Sequence, residues 1–344
     1  MSIATLARWL GPWASSTKAP EAEVSEELVG GLRVRTYIRR RMYVRTHDAK
    51  RGSTTPSRSP APFVIAPGLH YAGADDPRLD RFCRILAAAG HRVIAPFVPS
   101  YLALEPDQRA IDDFIRCCDA LQLDAKPVAF SISFGSLLVF AAAAERPELF
   151  DRLVVFGGYA DFTDAMRFCL TGEHRDPLNQ PVVVMNLLDH IAHDRACTGV
   201  LKAAWRRYVE QTWGRPELKA PERYVAIAES LAPSVPAEVR ELFLAGIRPG
   251  AWPIAEPALA LADRRDLEPS RFLARVRGRV DLVHGADDDV IPVEHVHRLA
   301  AGLVNADARV HVTGLYGHTG AGFGKLAALP RELTTMVRVL RVLA

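Results

Sequence analysis

"KPVAFSISFGSLLVFAAAAERP", residues 126–147, joins a short apolar run to an alanine-rich one across a segment that holds three serines. The first half reads as a buried strand and the second as a helix. A sharp strand–turn–helix junction is the setting in which a serine hydroxyl serves as a nucleophile. The turn is so tight that the residues two before and two after the serine must carry little or no side chain. With Ser133 at the apex those neighbours are Ser131 and Gly135, a variant of G-x-S-x-G with serine at the first glycine position. With Ser131 at the apex they are Ala129 and Ser133, which is also sterically permitted. That choice opens the helix on Ile132-Ser133 and leaves Gly135 without a purpose, so Ser133 is preferred. Ser136 falls inside the helix as a packing residue. Serines at strand ends otherwise mostly cap helices, so the reading needs partners elsewhere in the chain.

Working outward, strand-like and helix-like runs alternate on both sides of the junction. "LRVRTYIR" and "MYVRTHD" alternate as half-buried strands do, and a polar loop over 50–61 separates them from "PFVIAP". "DPRLDRFCRILAAAG" leads to "HRVIAPFV", "LEPDQRAIDDFIRCCDALQ" to "KPVAFS", and "FGSLLVFAAAAERPELF" to "RLVVFGG". This pattern predicts β-α-β units and a mostly parallel sheet with helices on both faces. It stops near Gly158 and resumes with "RVDLVHG", "VEHVHRLAAGLV", "ARVHVTG" and a last helix. The expected division is an N-terminal helical extension over 1–30, an α/β core over 31–160 and 276–344, and a helical cap inserted over 161–275. Both ends of the insert return to one sheet, as a lid over a site would. Its aromatic residues Trp205, Tyr208, Trp213, Tyr224, Phe243 and Trp252 offer surface for an apolar pocket.

Composition sets outer limits. Of 344 residues 49% are hydrophobic and 24% charged, with a formal charge of +3. So slight an excess gives no reason to expect nucleic acid, and "RVRTYIRRRMYVR" interleaves its cations with apolar residues as solvated strands do. The five cysteines are odd in number, two are adjacent, and no C-x-x-C occurs, which fits a reducing cytoplasm rather than a disulfide framework or a zinc knuckle. No run of eighteen apolar residues is present, so no transmembrane segment is expected. The N-terminus places Ile3, Leu6, Trp9, Leu10 and Trp13 on one helical face. It lacks the pattern of a secretory signal. The face could lie on lipid headgroups, but docking on the protein itself is the expected outcome.

A serine needs a base to take its proton and an acid to orient that base. "ADDDVIP" follows one late strand and "LYGHTGAGFG", containing His318, follows the next. Both lie where open parallel sheets place their chemistry. The order serine, acid, histidine, each just after a strand, resembles that of the α/β-hydrolases. The chain is similar to that fold family over residues 32–344. "GLHYAGADDPRLDRFCRILAAAGHRVIAP", "FGGYADF" and "VHGADDDVIP" resemble a bacterial group of such hydrolases. The resemblance implies an acid three residues after the strand-end glycine and four before a proline. Gly285 and Pro292 then both select Asp288 over its neighbours Asp287 and Asp289, and Asp281 lies within the strand. Oxyanion donors would be the N–H of Phe134 and, from the loop after the third strand, that of Leu69. Many relatives have His-Gly in that loop where this chain has Pro67-Gly68.

The implied activity is a serine hydrolase that cleaves a carboxylic ester or thioester through an acyl-enzyme, with no cofactor. His70 and Tyr71, in "PGLHYAG", would sit near the mouth of the site and touch substrate. An acyltransferase using the same acyl-enzyme and a non-catalytic binding protein are the alternatives. Dehalogenase and epoxide-hydrolase chemistry would require a carboxylate at the elbow. Among other histidines, His284 and His311 lie on strands and read as core. His190 and His193 with Asp189 and Asp194 have a spacing that could hold a metal on a helix face, but no third convergent ligand is visible. "GHTGAGFGKL" fails as a phosphate loop, because Thr319 and Leu326 stand where glycine and Ser/Thr are required.

Overall fold

The computed structural model describes residues 3–11, 14, 17–40, 60–314, 316–317, 320–321 and 329–344. Helix α1 (Ile3–Leu10) comes first, followed by strands β1 (Ala22–Val29) and β2 (Leu32–Arg39). Then follow β3 (Phe63–Ala66), α2 (Pro77–Ala88), β4 (Val93–Pro96), α3 (Pro99–Leu102), α4 (Gln108–Ala120), β5 (Val128–Ile132), α5 (Gly135–Glu145) and β6 (Arg152–Phe156). A run of helices comes next: α6 (Phe162–Thr171), α7 (Gln180–Asn186), α8 (Thr198–Thr212), α9 (Pro221–Leu231), α10 (Ala237–Ala245), α11 (Trp252–Leu261) and α12 (Ser270–Leu273). The chain then returns to the sheet with β7 (Gly278–Gly285), α13 (Glu294–Gly302), β8 (Ala306–Thr313) and α14 (Leu329–Leu343).

The strands form one sheet in the order β1-β2-β4-β3-β5-β6-β7-β8. Only β2 breaks the common direction, pairing antiparallel with β1 and β4, while β4, β3, β5, β6, β7 and β8 run parallel. This is the topology of the α/β-hydrolase fold. The central strands are continuous apolar runs, FVIA in β3 and VIAP in β4, buried along their whole length because helices cover both faces. Val64, Ala66, Ala129, Leu153, Val155 and Leu282 share a cluster with α4, α5, α13 and the inserted helices. Phe63, Ile65, Val93, Phe130 and Val154 share another with α1, α2 and α14.

One expectation changes. Residues 22–29 are not part of a helical extension but form the edge strand β1, joined to β2 by Gly30 and Gly31 with φ of +56° and +86°. Two consecutive positive φ values make the tight hairpin turn that glycine permits. The described partners of "LRVRTYIR" are therefore β1 and β4, whereas "MYVRTHD" lies outside the described residues. α1 docks on the protein as expected. Leu6 is buried against α2 and α14, and the Arg81 guanidinium donates to the carbonyls of Trp9 (2.7 Å) and Lys18 (2.9 Å). Among the described residues no helix is long and apolar enough to cross a membrane.

Candidate active site

The junction quoted first is a strained elbow. β5 ends at Ile132, α5 starts at Gly135, and Ser133 between them has φ +51°. Leu104 is the other non-glycine residue with positive φ among those described. An L-residue enters this region only where its surroundings impose it. Here the Ser133 N–H donates to the Phe156 carbonyl at 2.8 Å and the Ser133 carbonyl accepts from the Ser136 N–H at 3.0 Å. Gly135 meets the small-residue requirement literally. A Cβ placed on it would lie 2.2 Å from the Ala66 carbonyl oxygen and 2.7 Å from that of Pro67. The Phe134 carbonyl accepts from the Leu137 N–H at 3.2 Å and from the buried Tyr101 hydroxyl at 2.9 Å.

The three serines separate cleanly. Ser131 and Ser136 are fully buried and their hydroxyls have no partner among the described residues, whereas Ser133 opens onto a cavity of about 510 Å³. Leu69 and Phe134 line the same cavity, so both expected oxyanion donors border the space in front of Ser133. Gly68 lies against the elbow, with Ile132 O and Ser133 Cβ at 3.3 and 3.5 Å from the position a Cβ would take. The wall on the insert side is largely apolar and includes Phe162, Met166, Val182, Val183 and Trp213. The other insert aromatics do not reach it. Trp205, Tyr208, Tyr224 and Phe243 are buried within the insert, and Trp252 is packed against the same core. Of the six aromatic residues named from the sequence, five thus serve the insert's own packing, and Trp213 alone among them reaches the cavity.

Asp288 stands in the loop after β7. Its Oδ1 accepts from the N–H groups of Val290 (2.9 Å) and Ile291 (2.8 Å), and its Oδ2 lies 3.4 Å from His284 Nε2. Asp287 is exposed and Asp289 half-buried, whereas Asp288 is buried. Asp281 is committed elsewhere, to Arg279 Nε at 2.7 Å and His311 Nε2 at 3.1 Å. His284 is fully buried, as read from the strand, but it also contacts the acid, with its Nε2 2.9 Å from the Ile291 carbonyl. His318 lies outside the described residues.

His70 lines the cavity, but Tyr71 does not. It stacks on His70 at a centroid distance of 4.6 Å, with Trp213 of the insert 5.5 Å from the His70 ring. His70 Nδ1 accepts from the Ala72 N–H at 3.1 Å, while its Nε2 lies 3.3 Å from Arg78 Nη2 and 3.6 Å from Asp76 Oδ2. Burial pushes its pKa down to about 4, against the raising effect of Asp76. Asp76 caps α2 through the Arg78 N–H and binds the Arg78 guanidinium at 2.8 Å. His190 and His193 do not share a helix face. His190 closes a short turn, while His193 uses both nitrogens on the Ile191 carbonyl (2.9 Å) and the Thr198 hydroxyl (2.8 Å). Among the described residues no cluster of three or more His, Cys, Asp or Glu could hold a metal ion.

Sequence reasoning missed a group at the insert side of the acid loop. Lys219 bridges the carboxylates of Asp176, at 2.9 Å, and Asp289, and the Asp176 N–H donates to the Asp289 carbonyl at 2.6 Å. Asp176 and Lys219 line the cavity beside Cys169, whose thiol is pushed up to about 12 by burial. Tyr101 was missed too. No local pattern marks pairs so distant in sequence.

No protein-family model matches the sequence, and no curated protein matches it significantly. Solved structures do resemble it. An acylaminoacyl peptidase from Pyrococcus horikoshii aligns over 94% of this chain at 10% identity with a TM-score of 0.49, and the chain spans 41% of that protein's length. A meta-cleavage product hydrolase from Pseudomonas fluorescens IP01 aligns over 92% of this chain and 96% of its own at 17% identity, TM-score 0.43. A serine hydrolase from Cycloclasticus zankles aligns over 94% and 98% at 13% identity, TM-score 0.47.

Proposed function

We propose that the protein is a cofactor-independent serine hydrolase acting on a carboxylic ester or thioester with an apolar acyl group. The observation that carries this reading is Ser133, held at φ +51° at a strand–helix junction and opening onto a largely apolar cavity. Strain of this kind persists only where the surroundings over-determine it, and it concentrates at functional sites.

In the proposed reaction Ser133 Oγ attacks the substrate carbonyl carbon while His318 takes its proton. The negative charge on the carbonyl oxygen is met by the N–H groups of Phe134, next to the start of α5, and Leu69. Collapse of the tetrahedral adduct breaks the bond to the alcohol or thiol, which leaves with the proton from His318. Water, deprotonated by the same imidazole, then releases the acid and restores the serine. Asp288 would orient His318, its own position fixed by the N–H groups of Val290 and Ile291. Neutral His70, packed between Tyr71 and Trp213, would border the substrate without exchanging protons near neutral pH. The inserted helices would form the cap, and the free cysteines suit a reducing compartment.

The test is Ser133→Ala. The wild-type chain should be labelled by a fluorophosphonate probe and hydrolyse p-nitrophenyl esters, and the variant should do neither. Retained hydrolysis or labelling in the variant would refute the assignment.

A further inference from the structure

The loop that carries Asp288 is gripped from outside by the inserted helices. Its next residue, Asp289, is held twice. The main-chain carbonyl accepts from the Asp176 N–H at 2.6 Å, and the carboxylate is bound by Lys219. Lys219 also binds Asp176 Oδ2 at 2.9 Å, and Asp176 Oδ1 accepts from the Leu178 N–H at 3.0 Å. Both Asp176 and Lys219 belong to the segment between β6 and β7 and line the cavity. Asp289 sits between Asp288 and the two N–H groups that bind the Asp288 carboxylate. Whatever fixes the Asp289 peptide therefore fixes those donors as well.

From this geometry we infer that Lys219 and Asp176 are positioning residues for Asp288, a charged clasp through which the inserted helices hold the acid loop in register. The catalytic part of the inference rests on the serine hydrolase reading above. The charge balance supports it. Asp176, Asp288 and Asp289 place three carboxylates close together, and Lys219 is the cation that answers two of them. Burial works against both the Asp176 carboxylate and the Lys219 ammonium. For Asp176 it prevails and raises the carboxyl pKa, whereas for Lys219 the bonds to Asp289 and Asp176 outweigh it and keep the ammonium charged. Removing Lys219 leaves a buried carboxylate without its partner, and the nearest relief is for Asp176 and the Asp289 peptide to part.

The experiment compares the full-length wild type with Lys219→Met and Lys219→Arg by amide hydrogen exchange over residues 286–292 and by steady-state hydrolysis of a p-nitrophenyl ester. Lys219→Met should speed exchange at Val290 and Ile291 at least about tenfold. It should lower kcat about 10–100-fold, the range seen when a group that orients a catalytic ligand is lost, with KM moving less than about threefold. Lys219→Arg, which keeps the charge, should restore both. If Lys219→Met does not fold, Asp289→Asn removes the same ion pair and should show the same pattern in weaker form. Unchanged exchange, an unchanged kcat, or an equal loss in Lys219→Arg would overturn the inference. If the wild type shows no Ser133-dependent turnover, the hydrolase reading fails and the exchange result alone decides whether the clasp holds the loop.

Discussion

Replacing Ser133 by glycine and by alanine gives two variants that both lack the hydroxyl and differ in one respect, the Cβ. With φ at +51°, the left-handed region costs a residue with a Cβ roughly 1–2 kcal/mol and costs glycine almost nothing. At an ordinary helix or strand position the preference runs the other way, with alanine the more stable by roughly 0.5–1 kcal/mol because glycine has more freedom to lose. Ser133→Gly should therefore be more stable than Ser133→Ala by about 1 kcal/mol. For 344 residues, an unfolding entropy of about 2.1 cal/mol/K per residue turns this into a melting difference of about 1–2 °C. Differential scanning calorimetry resolves such a gap when the variants are measured side by side. Ser136 supplies the internal control, because it lies within α5 without a positive φ, and there Ala should be more stable than Gly. If alanine were the more stable residue at both positions, the elbow would carry no conformational strain, and the physical argument for Ser133 as nucleophile would be lost.

Two further outcomes follow from contacts at the same site. Gly135→Ala would drive a Cβ to 2.2 Å from the Ala66 carbonyl oxygen. Since that atom is backbone, the helix must move, at a cost of about 1–3 kcal/mol or more. Urea unfolding should show the loss and fluorophosphonate labelling should fall at least a hundredfold, and a variant of wild-type stability would contradict the packing described. His70 gives an acid dependence. Its folded pKa of about 4 lies below the ordinary 6.5, so between these values the unfolded chain binds a proton that the folded chain does not. Stability should therefore fall as pH drops from about 6.5 to 4, by up to about 3 kcal/mol from this group. Unfolding free energies at pH 7, 5 and 4 should show a shallower slope for His70→Gln, and identical slopes would reject it.

What could be read from the chain was what repeats locally. Buried strands such as FVIA and VIAP betray themselves by continuous apolarity, and the elbow by its run of small residues. β1 did not, because AEVSEELV is an edge strand exposed along most of its length, so neither face imposes a period of two and its glutamates read as helix or loop. The insert aromatics were visible as aromatics. Their direction was not, since whether Trp205 fills a core or a cavity depends on helix packing with no local signature. The clasp was the least legible feature, as Lys219 and Asp289 are 70 residues apart and each alone looks like solvated charge.

Asp288, the proposed acid, is set apart from its two neighbours by the shape of its loop. The loop from Gly285 to Pro292 turns so that the N–H groups of Val290 and Ile291 converge on one carboxylate oxygen, and Pro292 has no N–H to offer. Only the side chain two and three residues before those donors can receive both. An aspartate one place earlier, such as Asp287, is directed to solvent. One place later, Asp289 is turned to the insert and taken by Lys219. The same peptide that aims Asp288 inward thus presents Asp289 outward. Which of the three consecutive acids is buried is decided by the turn itself rather than by anything in their chemistry.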